Sequence, residues 1–391
     1  MDAGAYSCWI EVDLSALGHN LANIQDHTQV RLLPVLKGNA YGHGAPVVAT
    51  FLKSRGYSHL AVSSLEEALE ILAVVPLTIL VLAPPLPAQL PLFLEHRLLP
   101  TITSPDLLAD LAKLAEARRQ RVTIHIKVDT GFGRLGMAPE DLLPLIKELA
   151  TMPLVKLGGV LTHFPAAFRQ SGFTLRQLQL FLELREEIRS LGGYDHVLWH
   201  AANSSAFLTL PDSHLDLVRV GTLLYGQSPI SSQPPWELAP TWQFKTRLIQ
   251  VRTLPKGHSV GYGRLYRTKK PTRIGVIPVG YSHGLELEPL STPWRQIKHA
   301  LGQGLKGKHF VFHTLGPLPI LGRVGMGLTT VDLSAVPQAE VGDSVTVSMR
   351  RVTASGHVPR LYYLRGAIKC ISYNQQILSP QGRPISPRGL F

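Results

Sequence analysis

"VTIHIKVDTGFGRLGMAPEDLLPLIKELA", Val122–Ala150, holds one full unit of the pattern that decides the fold. A run rich in β-branched residues stops at a Gly-rich turn, and Pro139–Ala150 then places apolar residues at helical spacing. The same order recurs on both sides. Upstream, RLLPVLK precedes APVVATFLKSRG, HLAVSS precedes LEEALEILAVV, LTILVLAP precedes PAQLPLFLEHR, and LLPTIT precedes PDLLADLAKLAEARRQ. Downstream, LVKLGGVLTHF precedes TLRQLQLFLELREEIRSLGG, VLWHAANSS precedes a short helical segment, and LDLVRVGTLLYG closes the series. The helix after LLPTIT carries Ser104 as its cap, Pro105 in its first turn, and Leu107, Leu108, Leu111 and Leu114 along one stripe.

Eight strand–helix repeats in about 230 residues predict a parallel sheet with right-handed crossovers. A closed (β/α)8 barrel of the TIM type suits that count better than an open sheet. An open doubly wound sheet is the alternative, and it lacks a GxGxxG turn after an early strand. Gln227–Thr241 is rich in Pro and Ser and reads as a linker. Beyond it, WQFKTRLIQVRTL, TRIGVIPVGY, HFVFHTL, LPILGRVGM, TTVDLS, DSVTVSM and AIKCISY are short strands without long helices between them, the pattern of a mostly β domain. The expected division is an N-terminal strand, 1–10, packing with the β domain; an α/β barrel, 11–230; and the β domain, 231–391, carrying a basic insertion near 290–308.

Composition excludes some classes. The chain has 391 residues, 45% of them hydrophobic and 17% charged, as in ordinary globular proteins. No apolar run is long enough to span a bilayer, and the N-terminal stretch has no basic segment followed by a long apolar one. The net charge of +12 comes from basic residues spread along the chain, without aromatic-interleaved clusters, so no nucleic-acid partner is expected. The two cysteines, Cys8 and Cys370, suggest a reducing compartment and two buried thiols. No Cys/His cluster has metal-ligand spacing. A cytoplasmic enzyme is the expectation.

In a barrel of this kind the C-terminal ends of the strands carry the chemistry. Lys37 ends the first strand, inside PVLKGNAYGHG; Lys127, Asp129 and Arg134 lie on or after the fifth; His163 ends the sixth. His200, Asn203 and Ser204 end the seventh, and Arg219, Gly221 and Thr222 sit on or after the eighth. A lysine partly withdrawn from water at a strand end has a lowered pKa and can form a Schiff base with an aldehyde. Pyridoxal 5′-phosphate (PLP) needs such a lysine, a phosphate cradle and a partner for its ring nitrogen. Ser204, Gly221 and Thr222 could supply the cradle and Arg219 the partner.

From about Trp9 to Tyr373 the chain resembles the alanine racemase family of fold-type III PLP enzymes. The family's KANAYGHG stands here as KGNAYGHG. IKVDTGFGRLG, LTHF, HAANSSA, VRVGTLLYG, GYGRLY, VIPVGY, GRVGM and ISY follow in order and spacing. The resemblance implies a homodimer in which each barrel mouth is completed by the partner's β domain. It implies a two-base racemisation of alanine, with Lys37 serving one face and Tyr262 of the partner subunit the other, supplying D-alanine for peptidoglycan. It further implies that Tyr41 and Tyr373 touch the phosphate, and that His163 bonds Tyr262 and in turn Arg219. Arg134 then binds the substrate carboxylate, Tyr281 and Met326 line the substrate pocket, and Lys127 is a candidate for carbamylation. Plainer readings stand beside these: Lys127 as a salt-bridge partner of Asp129, Met326 as β-core filler, Tyr262 as a loop-packing aromatic, and His43 and His200 as structural residues. Racemisation of another small amino acid such as serine, or a PLP-binding homologue without turnover, are the alternative functions.

Three positions depart from the family pattern. Gly38 replaces the usual Ala after the lysine, which would loosen the turn. His283 in GYSHG and Gly327 in GRVGMG each replace an acid, which would make the entrance more positive.

Overall fold

The computed structural model describes residues 5–169, 172–232, 234–287, 311–386 and 390–391. The basic insertion expected near 290–308 lies outside the described residues. The chain divides into two compact units. One runs over Ala16–Pro240 and takes in the last residues; the other joins the N-terminal residues up to Ser15 to Thr241–Ser386.

Strand β1 (Cys8–Asp13) belongs to the second unit. The first unit holds eight strands: β2 (Arg31–Pro34), β3 (His59–Val62), β4 (Thr78–Val81), β5 (Leu99–Ile102), β6 (Val122–Lys127), β7 (Val155–Leu161), β8 (Leu198–His200) and β9 (Leu217–Val220). Helix α1 (Leu14–Asp26) precedes them. The turn α2 (Lys37–Tyr41) and the helices α3 (Ala45–Ser54), α4 (Leu65–Leu72), α5 (Leu90–Glu95), α6 (Pro105–Arg118), α7 (Leu142–Leu149), α8 (Gly172–Ser190) and α9 (Ser204–Thr209) alternate with the strands.

Strands β3 to β8 pair in parallel in chain order, and β2 pairs in parallel with β9. Backbone bonds close both seams. Leu36 N–H donates to Ala61 O at 2.8 Å between β2 and β3, while Asp216 N–H reaches Trp199 O at 3.1 Å and Arg219 N–H reaches Ala202 O at 3.0 Å between β8 and β9. The first strand meeting the last makes this the expected barrel and rules out the open sheet.

Side chains alternate across each strand, and the barrel interior divides accordingly. Leu33, Val35, Ala61, Leu80 and Leu217 form an apolar core, with Leu82 and Leu99 against it. From β6, β8 and β9 come His125, Lys127, His200 and Arg219, all buried. The outward residue next to His200, Trp199, packs on Phe181 of α8 with ring centroids 5.0 Å apart. The Gly158–Gly159 pair of β7 is required by His125: a Cβ on Gly159 would lie 2.6 Å from the imidazole Nδ1.

In the second unit, β1 lies inside an eight-stranded sheet. It pairs antiparallel with β10 (Trp242–Arg247) and parallel with β11 (Arg360–Leu364). A three-stranded sheet and a two-stranded hairpin complete the strand pairing described in this unit. Strand β11, RLYYL, is not among the strands expected from the sequence. Its buried residues, Arg360, Leu361 and Tyr362, are consecutive, so the alternation that marks a half-buried strand is absent. Both cysteines are free thiols. Cys370 is buried as expected, but Cys8 is only partly so. No helix among the described residues is long and apolar enough to cross a membrane.

Candidate active site

A cavity of about 580 Å³ opens at the C-terminal ends of the barrel strands. Ten sequence-expected site residues line it: Lys37, Tyr41, Lys127, Arg134, His163, Asn203, Ser204, Arg219, Gly221 and Thr222. They lie at the ends of β2, β6, β7, β8 and β9 or in the segments that follow them.

Lys37 leads into a left-handed turn. Gly38, Asn39, Ala40 and Tyr41 all have φ between 52° and 63°, a conformation that costs about 1–2 kcal/mol per residue with a side chain. Surrounding bonds hold it. Gly42 N–H donates to Gly38 O, Asn39 Oδ1 accepts from Ala45 N, and His43, fully buried, places Nδ1 2.9 Å from Ala40 O. His43 is thus turn structure. Gly38 does not loosen the turn, because it occupies the first left-handed position, where a residue without Cβ removes strain.

Glu67 was not singled out from the sequence. Its carboxylate accepts the Gly38 N–H at 2.5 Å and the Ser63 N–H at 2.7 Å, tying the end of β2 to the end of β3. The signal was present: Ser64 and Glu67 have capping-box spacing at the start of α4, and Ser64 does accept from Glu67 N. Burial, then the charges of Arg134 and Arg219, lowers the Lys37 amine below its ordinary pKa, with Glu67 opposing.

Lys127 is buried and makes no salt bridge among the described residues. Asp129, its expected partner, instead accepts four backbone N–H groups, from Gly131, Phe132, Gly133 and Arg134. These bonds shape the loop that carries Arg134, whose guanidinium lies 4.1 Å over the Phe132 ring. Desolvation, aided by Arg219 and Arg134, lowers Lys127 to about 8.

Arg219 is buried and all four Nη hydrogens are committed. Nη1 donates to His200 Nδ1 at 2.9 Å and to His200 O at 2.7 Å; Nη2 donates to Thr162 O at 2.7 Å and Ala201 O at 3.1 Å. The fifth donor, Nε–H, has no partner among the described residues and is the one left for a ligand. The expected His163–Arg219 bond is therefore replaced by a His200–Arg219 bond. His163 lies against Phe132, ring centroids 5.5 Å apart, and burial together with four nearby cations pushes it down to about 2, so it is neutral.

The same cavity holds a cradle of donors. Gly221 N–H donates to Ser204 Oγ at 3.0 Å, leaving the hydroxyl hydrogen free. A Cβ on Gly221 would lie 2.8 Å from Tyr41 Cζ, so the phenol occupies the space above this glycine. Burial pushes Tyr41 up to about 12 and keeps it a donor. Asn203 caps α9 through Oδ1 and donates to Phe164 O at 3.0 Å, so its amide orients Ser204.

The four remaining candidates belong to the second unit. Tyr262, Tyr281, Met326 and Tyr373 are all exposed there, by 74%, 47%, 64% and 37%. That exposure removes Met326 as core filler. Backbone contacts gather three of them: Tyr281 N–H reaches Gly325 O at 3.1 Å, Ser282 N–H reaches Met326 O at 3.0 Å, and a Cβ on Gly325 would lie 3.8 Å from the Tyr262 ring. His283 accepts the Gly280 N–H on Nδ1 at 3.2 Å, the service a carboxylate would give. A Cβ on Gly327 would meet nothing within 4 Å.

The model of the alanine racemase N-terminal domain matches residues 12–229, and that of the C-terminal domain matches 241–374. The chain belongs to the alanine racemase family. It is 34% identical over 343 residues to the alanine racemase of Chlorobaculum tepidum, covering 86% of this chain and 85% of that one. With that of Syntrophobacter fumaroxidans it shares 36% over 355 residues, covering 88% and 90%. Among solved structures, the alanine racemase of Bacillus anthracis with bound L-Ala-P superposes with a TM-score of 0.82 at 28% identity, covering 94% of this chain and 97% of that one. The fold is shared with the Bartonella henselae enzyme with covalently bound pyridoxal phosphate, at a TM-score of 0.78 and 22% identity, over 92% and 100% of the two chains.

Proposed function

We propose that this chain is a PLP-dependent alanine racemase, interconverting L- and D-alanine in a homodimer. The observation that carries the reading is one cavity lined by a desolvated lysine, a donor cradle and an Arg219 guanidinium with one N–H uncommitted. The donor set fits the cofactor. Tyr41, Ser204 and Thr222 suit a phosphate dianion, with the Gly221 N–H orienting the Ser204 hydroxyl toward it; Arg219 Nε–H suits an unprotonated ring nitrogen, and Lys37 suits an aldehyde. Bound PLP supplies the electron sink that acidifies the Cα–H of an attached amino acid.

The chain's own residues supply the rest. Lys37 would anchor the cofactor and exchange a proton on one face; burial and the nearby arginines lower its pKa, which favours the neutral amine more than in an ordinary lysine. Tyr262 of the partner subunit serves the opposite face, with neutral His163 beside it. Arg219 stays cationic, since burial lowers it only to about 10. Facing the ring nitrogen, it prevents protonation there and so holds developing charge near Cα, which favours racemisation over transamination. Arg134 binds the substrate carboxylate. Tyr281 and Met326 from the partner limit the pocket to a small side chain, and Tyr373 closes on the phosphate. Lys127, neutral in part and lying among cations, is suited to carbamylation, which would turn it into an anion bridging to Arg134.

Exposure of Tyr262, Tyr281 and Met326 on one face of the β unit supports a partner covering them. We assign cofactor binding to 11–230 and completion of the neighbouring mouth to 231–391 with the 1–10 strand. The enzyme is placed in the cytoplasm, as a supplier of D-alanine for peptidoglycan. The test is an absorption spectrum followed by resolution of the enantiomers after adding L-alanine and, separately, L-serine. Lys37→Ala should abolish the visible band of bound cofactor. Tyr262→Phe should keep the band and lose racemisation; normal turnover in that variant would remove the two-base assignment.

A further inference from the structure

The barrel has a second cavity at its opposite end. It measures about 670 Å³, and the first residues of six strands line it: Arg31, His59, Thr78, Leu99, Leu198 and Leu217. In a filled barrel, layers of side chains close this end; here they leave room.

Two polar atoms border the space without a partner. The first follows from tautomer logic along the barrel axis. A guanidinium can only donate, so His200 Nδ1 accepts from Arg219. His200 Nε2 then carries the hydrogen and donates to His125 Nδ1 at 2.9 Å. That leaves the hydrogen of His125 on Nε2. His125 is 5% exposed, lines the cavity, and has no acceptor for that N–H among the described residues. Burial and Arg219 hold both imidazoles neutral, His125 at about 4 and His200 well below its ordinary value, so this tautomer chain is the working state. The second atom is Tyr57 Oη, buried on the same cavity wall, where the Gln25 side chain approaches it without completing a hydrogen bond.

The charge pattern has one sign. Arg31 at the rim makes no ion pair among the described residues, and no Asp or Glu lines the cavity. Much of the remaining wall is leucine: Leu33, Leu60, Leu80, Leu99, Leu198 and Leu217. Donors without acceptors, a cation at the rim and an apolar wall describe a receptor for an anion with an apolar body.

We propose that the N-terminal end of the barrel is a second binding site, for a small organic carboxylate held by His125 Nε2–H, the Tyr57 hydroxyl and Arg31, with its apolar part against the leucines. Because His125 is joined through His200 to Arg219, occupancy also polarises Arg219; that consequence rests on the reading of Arg219 proposed above, whereas binding itself does not.

The experiment uses the PLP-loaded full chain and sodium benzoate as probe, with benzamide as its neutral counterpart. Calorimetry in saturating L-alanine reports binding, and 15N-histidine NMR reports His125 Nε2. The expected result is saturable benzoate binding that L-alanine does not displace, with a shift of the His125 Nε2 resonance. Benzamide, Arg31→Gln and Tyr57→Phe should each weaken binding about tenfold or more, since each removes a charge-assisted contact. Both variants should racemise alanine at the wild-type rate without benzoate. A small shift of the cofactor's visible band on benzoate addition reports the link to Arg219. The proposal is overturned by no saturable binding, by displacement with L-alanine, or by wild-type benzoate affinity in Arg31→Gln and in Tyr57→Phe. None of those results touches the racemase reading, which instead fails if the chain takes up no cofactor.

Discussion

Gly221→Ala is the sharpest perturbation the geometry offers, because the added methyl group has a defined collision. Its Cβ would stand 2.8 Å from Tyr41 Cζ and 3.0 Å from Cε2, and closer still to the phenolic oxygen. Ordinary carbon contact begins near ~3.5 Å, so the ring must retreat by about 0.7 Å. It has little room to do so. Tyr225, fully buried, stacks against it at a centroid separation of 4.9 Å, and Tyr225 is itself fixed by its hydroxyl bond to Val35 O. Overpacking of this kind costs about 1–3 kcal/mol, and the displaced hydroxyl loses a hydrogen bond to the phosphate worth about 1.5–3 kcal/mol. PLP affinity should fall about tenfold to a hundredfold, measured by removing the cofactor and titrating it back against the visible band. The cofactor-free protein should also melt at a lower temperature than the cofactor-free wild type. Unchanged affinity and unchanged melting would refute both the cradle and the tight placement of Tyr41 above Gly221.

Three further outcomes are expected. Lys127→Met should raise the stability of cofactor-free protein in bicarbonate-free buffer at pH 7. The folded-state pKa of Lys127, about 8, lies below its unfolded value of ~10.4, so protonating the buried amine opposes folding below about pH 8. The variant's advantage should therefore shrink as pH rises from about 8 to 10.5, read from denaturant midpoints. His283→Ala should lower stability by about 1 kcal/mol by leaving the Gly280 N–H without its acceptor, while His283→Asp, which offers an acceptor at the same place, should stay near wild type in melting and turnover. Gly38→Ala should cost about 1–2 kcal/mol, since the new side chain must adopt φ near 63°; a stabilised variant by the same midpoint measurement would mean the turn is not left-handed at that position.

The barrel was legible because each strand–helix unit writes its own local signal: β-branched run, Gly-rich or capped turn, apolar stripe. Those signals also located ten side chains at one mouth, since strand ends in a barrel converge whatever their separation in the chain. What escaped was set by partners that no local pattern records. Glu67 reads as a capping-box acid, yet its carboxylate serves the backbone at the ends of two strands, and only the parallel β2–β3 seam brings them together. His200 and His125 are single residues in apolar runs; their meeting depends on β6 and β8 both directing them to the barrel axis with the Gly158–Gly159 pair making space between. Gly38 looked like a weakness because glycine loosens an ordinary turn, but four consecutive left-handed residues invert that argument: the conformation is costly, and the glycine sits where it lowers the cost. The replaced acids follow the same logic. At His283 the turn calls for an acceptor of the Gly280 N–H rather than for a charge, and an imidazole nitrogen meets that need, so the departure leaves the Tyr281 turn intact.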